Sequence, residues 1–432
     1  MHTHAIPPGP AEGFDLGGSD ESLARMREYF ARYGDLYRVF APSRGVYYYV
    51  INHPDDIKHV LLANHRNYTK GEGIDRVKIL LGNGIMTSEG DLWRRQRRMI
   101  QPAFHRRVVE RFGALIGEVN DKYAERWAAK GARGEPIDIA DETSELTLEI
   151  VLRSIFGADL ARLESELGAN PFEVVAKETN RDLNFAFRFR SLAKLIVELI
   201  ERRRREPEER CDFLDMLMAT RTRDTNQGMS DRELVDEVMT LIVAGHETTA
   251  AALAWTWYLV ARHPQAAERL HAEAQGAGGV QPLGLDAAER LAFTQQVIQE
   301  SLRLYPPGWL FTRRSIDADE LGGYPIGPRT DVFISPFTVH RHPAFWPDAE
   351  EFRPERFAGA DAALRHRFAY IPFSVGPRHC IGENLAMFEM LVHLRTICRR
   401  LRIRRADAAP VEFEAQINLR PRSKLMMTVT ER

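Results

Sequence analysis

The stretch FSVGPRHCIG, residues 373–382, puts a cysteine where a thiol becomes chemically useful. Gly376, Pro377 and Gly382 predict a tight irregular loop beginning at Phe373, and the residues after Cys380 read as a helix. A cysteine at a helix start, with Arg378 and His379 beside it and backbone N–H groups around it, is biased towards thiolate. Three uses of that thiolate compete. A redox or nucleophilic cysteine wants a resolving cysteine or a His–Asn pair, and no such signature accompanies it. A zinc ligand wants companions, which are lacking. An axial haem ligand needs only itself, an apolar pocket and cations for the propionates. Cys211 and Cys398, the other two of three cysteines, read as ordinary buried small residues.

A second constellation is AGHETT, residues 244–249, which sets Gly, His, Glu and two Thr into an otherwise apolar helical run. The Thr248 hydroxyl lies one turn from the Ala244 carbonyl and competes for it. Gly245 lowers the cost of bending and bares the backbone, which permits a polar notch in an apolar wall. Glu247 beside Thr248 sets a proton source next to a hydroxyl that can pass protons on. The alternative is a helix that touches a neighbour closely at Gly245 and whose threonines bond their own backbone.

These residues need elements to hold them. Ser230 and Glu233 form a capping box, and the helix they start runs to Arg262, where His263-Pro264 stops it. Such a rod is ~48 Å long and carries AGHETT near its midpoint. Two β runs, residues 36–40 and 46–51, flank a Pro-Ser-Arg-Gly turn, and further β-rich stretches cover 316–335 and 411–430. Between residues 55 and 304 most segments have helical periodicity, with loops expected at 71–84, 131–136, 221–228 and 275–284. The expected fold is mainly α with a small β part: one large domain over 21–432 built on a long central helix, after a loosely ordered N-terminal segment, 1–20.

The 432 residues are 44% hydrophobic and 28% charged with net charge −2, ordinary for a large globular core and unlike a nucleic-acid binder. The cysteines are too scattered for a disulfide framework, which fits a reducing compartment. No signal peptide and no apolar span of membrane length is evident, so the expectation is a soluble, cytoplasmic monomer without a transmembrane anchor.

Taken together, the motifs resemble the cytochrome P-450 family. FSVGPRHCIG matches its F-x-x-G-x-R-x-C-x-G signature and AGHETT its oxygen-side motif. ESLR (300–303) matches its E-x-x-R, FRPERF (352–357) its P-E-R-F segment and WRRQR (93–97) its W-x-x-x-R, all in the family's order and across nearly the whole chain. The resemblance implies the cytochrome P-450 fold and haem b, with Cys380 as axial thiolate and metal ligand, in a setting formed by Phe373, Gly376, Arg378 and Gly382. Trp93, Arg97, Arg313 and Arg378 would hold the propionates, with Arg314 the rival of Arg313. Ala244, Glu247 and Thr248 would face dioxygen, the last two delivering the protons its cleavage consumes. Glu300, Arg303 and Arg356 would form a buried bracing network.

The implied activity is a haem-thiolate monooxygenase that inserts one atom of dioxygen into a hydrophobic substrate (fatty acid, terpenoid or polyketide-like) by hydroxylation or epoxidation. The same resemblance makes 70–87, 172–189, 308–311 and 416–419 substrate-facing, with Trp309 and Leu310 narrowing the pocket. Phe185, Phe187 and Phe189 line a mouth or pack as core, and Arg181, Arg188 and Arg190 meet an acidic group or solvent. With a short tail after Cys380, electrons are expected from an external ferredoxin or flavodoxin with its reductase. Arg94, Arg95, Arg98, Arg399, Arg400, Arg404 and Arg405 are the candidate docking patch. The alternatives are a peroxide-using or isomerising haem-thiolate enzyme, against which the Glu247–Thr248 pair speaks, and a haem sensor.

Overall fold

The β runs form where alternation and turn residues predict them. In the computed structural model, which describes residues 6–177, 183–208, 210–222, 224–276, 284 and 290–432, β1 (Leu36–Ala41) and β2 (Val46–Ile51) pair antiparallel, with Leu36 opposite Ile51. Tyr48 and Val50 point into the core, while Val46 and Tyr47 at the hairpin end stay exposed. Three more strands, β3 (Tyr68–Lys70), β4 (Phe311–Ser315) and β5 (Asp331–Ile334), complete a sheet of order β1-β2-β5-β4-β3. The β2–β5 pair is parallel and the others antiparallel.

The chain divides into two compact units. The first comprises residues 1–74, 295–380 and 409–423, and contains this sheet. One of its apolar clusters gathers Leu23, Met26, Tyr37, Tyr48, Trp309, Phe333 and Leu419. Within the expected N-terminal segment, Pro8 O accepts from Arg38 N and Phe14 N donates to Phe40 O, both along β1, and Leu16 is buried. A helix, Asp20–Tyr33, follows, capped by Ser19.

The second unit comprises 75–294, 381–408 and 424–432 and is largely helical. Its longest element is Asp231–Arg262, 32 residues with the expected bounds and the Ser230–Glu233 capping box in place. It packs most extensively on the helix Ile139–Phe156. Buried His393, on the helix Glu383–Arg400, accepts from Trp257 Nε1 at 2.9 Å and donates through Nδ1 to Asn120 Oδ1 at 2.7 Å. Burial pushes its pKa down to about 3, so it is neutral and its tautomer is set by these two partners. A three-stranded sheet, Ile137–Asp138, Met426–Glu431 and Leu401–Arg405, closes the unit.

One expected loop is wrong in part: within 71–84 the residues Ile74–Leu81 form two turns of helix. Their spacing of Val77, Leu80 and Leu81 suits a helix, and only the flanking glycines 71, 73, 82 and 84 mark turns. Residues 277–283, inside the expected 275–284 loop, and Arg181 lie outside the described residues.

Candidate active site

Cys380 closes a loop made by backbone geometry. Its N–H donates to Phe373 O at 2.9 Å, and His379 N donates to Gly376 O at 3.0 Å across the short turn Gly376–Arg378. Gly376 has φ +74°, and a Cβ there would sit 2.0 Å from the Leu61 carbonyl oxygen, so glycine alone fits. Phe373 and Arg378 are half-buried, while Gly382 caps the helix Glu383–Arg400. The Cys380 side chain is exposed. Cys398, by contrast, is buried, and burial pushes its thiol up to about 12, which makes it inert; Cys211 is exposed rather than buried as expected.

Among the described residues no three His, Cys, Asp or Glu side chains converge on a metal position. A lone cysteine suits a metal that brings its remaining ligands with it, as iron in a porphyrin does. That donor set fits haem and does not fit zinc.

The Glu300–Arg303–Arg356 network is present and buried. Glu300 and Arg303, on the helix Ala292–Leu304, form a bidentate pair at 2.6 and 2.8 Å with both side chains fully excluded from solvent. Arg356 Nε and the Arg353 N–H also reach Glu300 Oε1, at 3.0 and 2.8 Å. Arg303 spends its remaining donors on the carbonyls of His340, Ala349 and Glu351. Neutral, buried His340 in turn accepts from Ile371 N at 2.8 Å, and Ser374 N donates to Ile371 O. This hydrogen-bonded path links the network to the cysteine loop.

In the first unit, β4 separates its two arginines. Arg314 is bidentate with Asp331, its cross-strand partner, at 3.0 and 2.7 Å. Arg313 points to the other face of the pleat and bonds Thr312 O. In the second unit, Trp93 and Arg97 lie four apart on the helix Gly90–Ile100, both half-buried.

At AGHETT the close-packing reading of the helix holds. Thr248 Oγ1 donates to Ala244 O at 2.8 Å. A Cβ on Gly245 would come 3.0 Å from Val151, so this glycine allows close packing against Ile139–Phe156. His246 faces the same helix, with Nε2 3.0 Å from Ser144 Oγ. Leu241, Ala244, Gly245 and Thr248 are nevertheless only half-buried, in contrast to the fully buried run from Thr249 to Val260. The spacing i, i+3, i+4, i+7 makes them one open strip.

The same helix face, one turn before Leu241, holds a residue the sequence reading missed. Glu237 lies on the same helix face, eleven residues before Thr248, and is fully buried. Its Oε2 accepts from Ile85 N at 2.9 Å, while Asp236 Oδ2 accepts from Asn83 N at 2.9 Å, so two neighbouring acids fasten residues 83–85 to the helix. Oε1 has no hydrogen-bond partner among the described residues. Its place on the stripe shared with Leu241 and Ala244 was the available signal. Burial pushes its pKa up to about 8, so folding takes up a proton between pH 4.5 and 8. Stability is thus expected to fall as pH rises through that window, by roughly a few kcal/mol. Glu237→Gln should match wild type in Tm at pH 5 and exceed it at pH 8; parallel Tm–pH curves would contradict this.

Other expected site residues pack differently. Phe185 and Phe189 are buried and stack on each other at 5.6 Å, whereas Phe187 is 81% exposed, because the helix Leu183–Arg205 puts i and i+4 on one face. Trp309 does not narrow a pocket; it is fully buried in the first unit's core and donates to Gln416 O. Arg188 and Arg190 are exposed. Of the proposed docking cations, Arg94, Arg95, Arg400 and Arg405 pair with Asp91, Glu233, Asp121 and Asp407, which reduces the net positive field.

A comparison with protein families matches Cytochrome P450 over residues 11–429. The chain is 35% identical to cyclooctatin synthase of Streptomyces melanosporofaciens, over 96% of this chain and 93% of that protein. It is 31% identical to pentalenene oxygenase of Streptomyces avermitilis, over 95% of each. The crystal structure of the cytochrome P450DA haem domain superposes with TM-score 0.85 at 23% identity, covering 99% of this chain and 98% of that one. The chain belongs to the cytochrome P450 family and is a monooxygenase with that fold. No helix among the described residues is long and apolar enough to cross a membrane.

Proposed function

We propose that Cys380 is the axial thiolate of a haem b and that the enzyme hydroxylates or epoxidises a terpenoid hydrocarbon skeleton. The observation that carries the first part is the exposed Cys380 side chain on a loop whose shape only glycine at 376 allows. Support for the substrate class comes from the relative that oxygenates pentalenene, a terpene. Bound haem supplies the activation of dioxygen, at an iron made electron-rich by thiolate donation.

This chain's residues do the rest. Trp93, Arg97, Arg313 and Arg378 would donate hydrogen bonds to the propionates, and Arg313 is preferred over Arg314 because Asp331 already occupies the latter's fork. Thr248 donates its hydroxyl hydrogen bond to Ala244 O, which leaves its oxygen lone pairs as acceptors. Glu247 beside it would supply protons to that hydroxyl. Electrons would arrive from a separate ferredoxin or flavodoxin, with exposed Arg98 and Arg404 available to an acidic partner. Residues 21–432 would work as one catalytic domain in a monomer.

The test adds polycyclic terpene hydrocarbons, fatty acids and polycyclic aromatics in turn to the ferric protein. Terpenes are expected to drive a low-spin to high-spin change in haem absorption. With that ligand and a surrogate ferredoxin, Thr248→Ala should keep the spectral change yet divert reducing equivalents from product to hydrogen peroxide. A response to fatty acids alone would sink the substrate class, and unchanged coupling would remove Thr248 from proton delivery.

A further inference from the structure

The first unit holds a clamp that the reaction above leaves unused. Directly after the helix Pro54–Lys58 the chain widens into a π-helical turn, His59–Ala63, ended by Asn64, whose N–H donates to His59 O at 2.8 Å. Single π turns are rare and are frequently found at functional sites. The support here is one carboxylate, Asp319, whose side chain is 11% exposed. It accepts from His59 Nε2 at 2.9 Å and from Asn64 Nδ2 at 3.0 Å, the first residue of the turn and the one that ends it. Tyr68 OH at 2.6 Å and Glu320 N at 2.9 Å complete its set of donors. Burial opposes its charge, but these donors outweigh burial and hold its pKa below the usual carboxylate value.

What the clamped turn presents is backbone. The Leu61 carbonyl lies against Gly376, where a Cβ would be 2.0 Å from Leu61 O and 3.4 Å from Leu62 Cα. No side chain stands between the two segments to absorb a shift. Gly376 opens the short turn that His379 N closes, and the next residue is Cys380, whose N–H is tied to Phe373 O. If the turn relaxed to ordinary α winding, Leu61 would rotate and Gly376 would lose its stop.

We propose that Asp319 is a positioning residue for the Cys380 ligand, acting through the π-helical turn His59–Ala63 and its backbone contact with Gly376. The proposal rests on the reading of Cys380 as the haem thiolate.

Its test uses the haem-loaded full chain and two readouts: the rate of haem transfer to excess apoglobin, and the share of the ferrous carbonyl complex that shows the thiolate-type Soret band. Asp319→Asn is expected to release haem about tenfold faster, in line with losses seen when outer partners of a metal ligand are removed. It should also convert part of the carbonyl complex to the neutral-thiol form. Asn64→Ala removes one contact only and should move both readouts the same way by less; it carries the test alone if Asp319→Asn does not fold. Asp212→Asn, which breaks a buried bidentate pair with Arg203 in the other unit, controls for general destabilisation and should lower Tm without changing the Soret band. The proposal is overturned if the Asp319 and Asn64 variants lose Tm while haem release and the thiolate band stay at wild-type values. A wild-type protein with no thiolate-type band overturns the Cys380 reading itself, an outcome visible before any variant is made.

Discussion

Cys380→His is expected to abolish oxygenation while leaving the fold in place. The loop around residue 380 is held by backbone bonds, Cys380 N to Phe373 O and His379 N to Gly376 O, and by the Gly376–Leu61 contact, none of which uses the thiol. Because the side chain is exposed, exchanging it removes no packing from the core. What would change, if Cys380 is the proposed thiolate, is the charge and donor strength of the ligand. Thiolate is an anionic donor that favours O–O cleavage, while imidazole is a neutral ligand of the kind that carries or transfers rather than inserts oxygen. The check pairs product formation with the ferrous carbonyl spectrum. The variant should retain haem, lose the thiolate-type band and make no product, while Cys211→Ser, at an exposed position, behaves as wild type. Normal turnover in the Cys380 variant would overturn the assignment of the ligand.

Arg303→Ala should be the most damaging change for stability, at roughly 3–5 kcal/mol or more. The pair it breaks is wholly excluded from water, so among the described residues Glu300 keeps Arg356 and the Arg353 N–H as its partners. The carbonyls of His340 and Ala349 lose the Arg303 donor at the same time, and Glu351 O keeps only the longer bond from Arg356 Nη2 at 3.5 Å among the described residues. Since a folded chain holds only about 5–15 kcal/mol, such a loss should appear as little soluble, haem-loaded protein and a large fall in Tm. Arg303→Lys should rescue poorly, because an ammonium cannot serve a bidentate carboxylate and three carbonyls from one planar fork. Arg94→Ala is the contrast: it breaks an exposed pair with Asp91 and should cost less than ~1 kcal/mol. Equal Tm values for Arg303→Ala and Arg94→Ala would show that the buried network does not brace the fold.

Parts of this protein were legible from residues alone. The helix Asp231–Arg262 has the bounds its sequence predicts because both ends are local events, a reciprocal Ser230–Glu233 cap and a His263-Pro264 stop. Strand Val46–Ile51 and the Thr248–Ala244 bond are local for the same reason. Glu300 and Arg303 are a turn apart, so their pairing follows from spacing, but spacing does not say whether a pair is buried; the resemblance supplied that.

Tertiary structure decided what depends on partners far along the chain. Arg356 reaches Glu300 across 56 residues, and Asp331 takes Arg314 and not Arg313 because strand register puts them opposite. Gly245 proves to be a contact with Val151, Trp309 a core residue, and Phe187 an exposed one, since a sequence gives periodicity but not what each face meets. The raised pKa of Glu237 and the Asp319 clamp on residues 59–64 belong to the same class. Capping, turns and spacing are set within a few residues by backbone hydrogen bonds, whereas burial and desolvation exist only once distant segments have closed over a side chain.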